Sequence, residues 1–149
     1  MLELDDELFE KISEMSDIGN SLMDDGEYPR ALNIFEKALS LLPSPRSTWE
    51  AYTWLKAGTA DALFNMKDYE RAIEELYDGM NGPDGASNPF IMLRLGQSLY
   101  ELSKPEGIDF LCKAYMVEGE EIFSEEDEKY LKLVKNHLTP NKVDSPAPN

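Results

Sequence analysis

Small side chains recur along this chain at a spacing that suits helices in close contact. The segment MSDIGNSLMDDGEYPRALNIFEKALSLLP, residues 15–43, holds two amphipathic helical patterns that meet at Asp25-Gly26-Glu27. Gly19 and Ala31 stand twelve residues apart, and Ala31 and Ala38 seven. A side chain of one carbon or none at each point lets two helix axes approach the near end of their usual spacing of about 8–10 Å. Tyr28 and Phe35 supply volume beside that contact, and Pro43 cannot continue the second helix.

Recurrence makes this a repeat. Ala60, Ala72 and Gly79 reproduce the twelve-then-seven spacing, with Tyr69 and Leu76 in the places of Tyr28 and Phe35. Gly96, Gly107 and Ala114 do so at eleven and seven, with Leu111 in the place of Phe35 and Lys104-Pro105-Glu106 at the turn. Gly107 weakens its helix by roughly 1 kcal/mol relative to Ala. The pattern resembles the tetratricopeptide repeat (TPR), which ends in A-x3-F…P. Met15-x2-Ile18-Gly19-x2-Leu22 stands where the family has W-x2-L-G-x2-Y, and Ala31-x3-Phe35 with Pro43 completes the match. The resemblance implies an all-α solenoid of three helix pairs, finished by a capping helix at the C-terminal end.

The boundaries follow. One domain covers residues 1–138, with repeats at about 12–43, 46–83 and 88–119, a capping helix at 124–138, and a disordered tail over 139–149. Pro29 and Pro89 fall in first helical turns, and Asn88 caps the helix that Pro89 opens. Ser47-Thr48-Trp49-Glu50 reads as a capping box for the third helix. Ala31 to Ala72 is 41 residues, against a family period of about 34. The excess predicts a third helix two turns longer than usual, carrying Trp49, Tyr52 and Trp54, either as core or as an exposed contact. Tyr130, Leu131, Leu133, Val134 and Leu138 form the apolar stripe that covers the end of the stack.

Composition narrows the function. The chain has 30 acidic and 14 basic residues, a net charge of −16 over 149 residues. Such a surface disfavours nucleic acid and anionic membranes and steers basic partners, though it also serves plain solubility. Cys112 is the single cysteine, so no internal disulfide forms, in keeping with a reducing cytoplasm. The start Met-Leu-Glu-Leu-Asp-Asp is the reverse of a basic signal-peptide opening. His137 is the only histidine, so no Ser/His/Asp set or histidine-based metal site can be assembled. The glycines at 79, 82 and 85 lack the Lys-Ser/Thr of a phosphate loop, and Met80 spoils a calcium loop opening at Asp78. The expectation is a protein that is not an enzyme and uses no cofactor or metal.

What remains is a binding surface. The resemblance implies that the first helix of each pair lines a concave groove that holds the ligand. Carried over by position, the groove shows Ser13, Ser16, Asp17, Asn20, Met23 and Asp24, then Trp54, Ala57, Asp61, Phe64 and Asn65, then Phe90, Leu93, Arg94, Gln97, Tyr100 and Glu101. The expected partner-binding set is Asp17, Asn20, Asp24, Trp54, Asp61, Phe64, Asn65, Phe90, Arg94, Gln97, Tyr100 and Glu101, with Phe64 and Tyr100 as aromatic anchors. Asn20 fits the basic clamp with which some relatives hold acidic chaperone tails, but Ser16 replaces its lysine. Residues 88–134 are similar to small bacterial TPR proteins carried beside polymorphic toxins, which implies an immunity protein that neutralises a basic toxin domain. The alternatives are a secretion chaperone of the type III translocator class, which holds an extended peptide, or a scaffold subunit.

Overall fold

In the computed structural model, which describes residues 3–139, seven helices carry almost the whole chain. They are α1 (Asp6–Asp24), α2 (Tyr28–Ser40), α3 (Glu50–Asn65), α4 (Tyr69–Gly79), α5 (Pro89–Glu101), α6 (Glu106–Glu118) and α7 (Glu128–Leu138). Among the described residues there is no strand. Helices α1/α2, α3/α4 and α5/α6 pack as pairs, and each pair stacks on the next through α2 against α3 and α4 against α5. The tail expected at 139–149 lies outside the described residues, save Thr139.

The same turn closes all three pairs. Gly26, Lys67 and Ser103 have φ of 75°, 63° and 59°. The next amide donates back five residues in each case: Glu27 to Leu22 at 2.8 Å, Asp68 to Leu63 at 2.9 Å, Lys104 to Leu99 at 2.8 Å. The left-handed residue's own amide donates to Met23, Phe64 and Tyr100 respectively. This double bond pattern is the Schellman motif, which satisfies carbonyls that the helix end would otherwise orphan. Turns this short force antiparallel pairing.

The small-residue seam is where the pairs touch. Ala31, Ala38, Ala60, Ala72 and Ala114 are fully buried. Phe35 wedges between the first helices of two pairs. A Cβ on Gly19 would overlap its ring, and one on Gly58 would meet it at 3.0 Å. The third pair is tighter, backbone against backbone: a Cβ on Gly107 would lie 2.7 Å from the Tyr100 nitrogen and 2.8 Å from the Gly96 carbonyl. Glycine in α6 is therefore a condition of that contact, and its helix-weakening effect is offset there.

Three expectations need correction. Helix α3 is not two turns too long. It begins ten residues before Ala60, whereas α5 begins seven before Gly96, so the excess in the helix is about one turn. The remainder lies in the connector, where Arg46–Thr48 makes a tight helical turn closed by Thr48 donating to Pro45 and Trp49 to Arg46. That turn also displaces the expected capping box: the N-cap is Trp49, in extended conformation, with no side-chain cap. Helix α7 starts at Glu128, because Gly119–Phe123 takes up chain as a tight helix and Asp127, not Ser124, caps it by accepting from the Lys129 amide.

Candidate protein-binding face

The first helices α1, α3 and α5 lie side by side, with α1 touching α3 and α3 touching α5. All twelve candidate residues lie on these three helices, but the two ends of the row differ in kind.

At the α1–α3 end the face is open. Asp17, Asn20 and Asp24 are exposed along α1 at helical spacings of three and four. Trp54 is 36% exposed and Asn65 is exposed on α3. Asn65 is held in place by its amide, which donates to the Asp61 carbonyl at 2.8 Å and the Asp61 carboxylate at 3.0 Å. Ser16 and Ala57, expected on the open surface, are buried, because both helices turn those positions toward the seam.

At the α5 end the face is closed by the chain itself. Arg94, expected to be exposed, is buried. Its Nε donates to Asp61 at 2.9 Å, and its Nη1 donates to Glu126 at 2.6 Å and to the Gln97 Oε1 at 2.7 Å. The guanidinium also lies between two rings, 4.6 Å from the Phe64 centroid and 4.8 Å from that of Phe90. Gln97, also expected to be exposed, has no accessible surface and donates to Glu126 at 2.8 Å. Burial opposes the charge on Arg94, but the Asp61 and Glu126 carboxylates outweigh it and raise the guanidinium pKa above its ordinary value. Leu93 is core.

One turn further on, Glu101 accepts from Lys129 Nζ at 2.8 Å and from the Tyr130 hydroxyl. Burial pushes the Glu101 carboxyl upward, yet these two donors prevail and hold it below the usual carboxylate range. Burial, then the neighbouring Glu101 carboxylate, pushes the Tyr130 phenol well above its ordinary value. Tyr100 packs edge-on against Tyr130, with centroids 6.2 Å apart, and Phe64 packs edge-on against Tyr69 at 5.7 Å. The two expected anchors are thus half-buried and already engaged within the fold.

Glu126, Lys129 and Tyr130 were missing from the expected set. A signal for one of them exists. Asp61, Arg94 and Glu126 lie 33 and 32 residues apart, close to the family period of about 34 though short of the 36 between Ala60 and Gly96. Asp61 and Arg94 sit on the neighbouring first helices α3 and α5, and Glu126 lies in the bend just before α7, so opposite charges at about that spacing can pair across the stack.

Cys112 is buried, and burial, with the Asp109 carboxylate adding to it, raises its thiol pKa, the reverse of an activated nucleophile. Among the described residues no helix is long and apolar enough to cross a membrane.

No protein-family model and no curated protein matches the sequence. A solved structure with a similar fold is the type III secretion translocator chaperone SycD of Yersinia enterocolitica, in an alternative dimer form. The similarity covers 93% of this chain and 96% of that one, with a TM-score of 0.63 and 15% sequence identity. At that identity the likeness is one of fold, and the fold is a TPR-like helical one.

Proposed function

We propose that this chain is a non-catalytic protein-binding module that holds an extended segment of a partner protein along the face of α1 and α3, in the manner of a secretion chaperone. One observation carries the reading. The α1–α3 face is left uncovered, with Asp17, Asn20, Asp24, Trp54 and Asn65 exposed on it, while the α5 end is occupied by residues 126–130. A face between two helices suits one extended chain, whose backbone amides and carbonyls need polar side chains such as Asn20 and Asn65. The likeness of fold to a translocator chaperone supports the same reading.

An immunity protein is the second reading, favoured by the net charge of −16, which would steer a basic toxin domain. It ranks lower because a folded domain asks for a broad surface, and part of this face is filled from within. Nothing specific favours a scaffold subunit.

The test is co-expression with the product of the neighbouring gene, followed by hydrogen exchange on the complex. Protection on α1 and α3 that a short synthetic peptide from the partner reproduces is the expected result. Protection that only the whole folded partner produces would favour the immunity reading. Absence of protection on both helices would overturn the proposal.

A further inference from the structure

A cleft of 730 Å³ opens at the N-terminal ends of α1 and α3. Its walls are apolar: Leu4 and Phe9 from the first helix and its approach, Trp49 from the connector, and Pro83 from the loop before α5. Phe9 is 51% exposed, an aromatic ring facing a cavity that no part of the described chain fills. The Trp49 ring is held in position, since its indole Nε1 donates to the Pro43 carbonyl at 2.8 Å. Ala51, buried, lines the cleft with a single methyl group. The rim is acidic, with Glu3, Asp6 and Glu50 exposed and no lysine or arginine among the lining residues. Among the described residues, none of these three carboxylates is in an ion pair. The first turn of α3, which borders the cleft, has no side-chain cap, so its amides can serve a carbonyl of an extended chain. The cleft also continues the open face: Phe9 is one turn from Ser13 on α1, and Glu50 one turn from Trp54 on α3.

We infer that this cleft is the anchor pocket for one apolar side chain of the bound segment, and that it selects segments in which lysine or arginine flanks that side chain. The inference rests on the reading of the chain as a holder of extended segments. The apolar walls give the anchor its burial, and the three rim carboxylates decide among anchors by charge. An acidic neighbour would meet like charge on the rim, while a basic one finds a carboxylate within reach of a long side chain.

Trp49 reports on the cleft directly. In a Trp54→Phe background its emission is the only tryptophan signal, and three short synthetic peptides serve as probes: leucine flanked by lysines, leucine flanked by glutamates, and alanine flanked by lysines. The first should shift the Trp49 emission and bind about tenfold or more tighter than either of the others, as a buried anchor does. Phe9→Ser should weaken the first peptide by a similar factor with the circular dichroism unchanged, because that ring is half exposed. A triple variant Glu3→Gln, Asp6→Asn, Glu50→Gln should bring the lysine-flanked and glutamate-flanked leucine peptides to comparable affinity. Three equal affinities, or tight binding that ignores Phe9→Ser, would overturn the pocket. If the pocket fails while the natural partner still protects α1 and α3, the binding function stands without it. Failure of both would remove the reading on which it rests.

Discussion

The two ends of the shared face are built from the same repeat and do opposite things. At the α1–α3 end the exposed positions carry Asp17, Asn20, Asp24 and Asn65, side chains with few or no partners. At the α5 end comparable positions carry Arg94 and Gln97, which are buried under Glu126 and tied to Asp61. The difference is one of neighbours. Helix α5 is the last first-helix of a pair, and the segment leading into α7 lies where a fourth repeat would begin. It covers the apolar end of the stack, and in doing so it fills the adjacent polar positions. A repeat position therefore has no fixed role: the same register can be a binding surface at one end of the array and a structural clasp at the other.

Breaking the clasp should have the largest effect. Arg94→Met leaves the Asp61 and Glu126 carboxylates and Gln97 without their shared donor, and removal of one partner from a buried pair costs about 3–5 kcal/mol. Asp17→Asn and Asp24→Asn, at the open end, should stay within about 0.5 kcal/mol. Urea midpoints measure both, and equal losses at the two ends would abolish the contrast drawn between them.

The ends nevertheless share a stacking plan, and Ala31 tests it. Leucine at this fully buried contact should destabilise by roughly 1–3 kcal/mol through strain. A midpoint that does not move would mean that the first pair is not packed as the third is.

Acid should loosen the closed end first. The Glu101 carboxyl is held below its usual range, so its contribution is complete above the unfolded carboxylate pKa of about 4.3 and is lost as the pH falls through that value and below. Glu101→Gln should flatten the acid limb of stability against pH. An acid limb unchanged by that substitution would remove Glu101 from the clasp.

The smallest effect concerns the turns. Ser103 adopts the left-handed conformation that Gly26 adopts at the open end. Ser103→Gly relieves the Cβ clash but loosens the unfolded chain, for a net gain of about 0.5 kcal/mol. Thermal unfolding would detect it, and a loss in place of a gain would show that the serine side chain supports the turn.

The fold was legible in advance because it depends on local, periodic chemistry. Gly19, Ala31, Ala38 and their counterparts mark helix contacts by size alone, and proline, glycine and asparagine mark the ends, as Asn88 does by accepting from the amides of Phe90 and Ile91. Where two readings of a stretch were locally plausible, the register slipped. Ser47-Thr48-Trp49-Glu50 has the composition of a capping box, yet Arg46–Thr48 forms its own turn and the helix starts later.

What a side chain's type and period could determine is which face of a helix it occupies, and that much held for Asp17, Asn20, Asp24 and Asn65, which are exposed. Whether a face meets solvent, a partner or the chain's own later segments depends on where a distant element comes to rest. Glu126 follows Arg94 by 32 residues and meets it only once α7 has folded back over the stack. The cleft between Phe9, Trp49 and Pro83 likewise draws on three separate stretches of chain. Spacing along the chain decided the repeat; contact across it decided which parts of the repeated surface were left open.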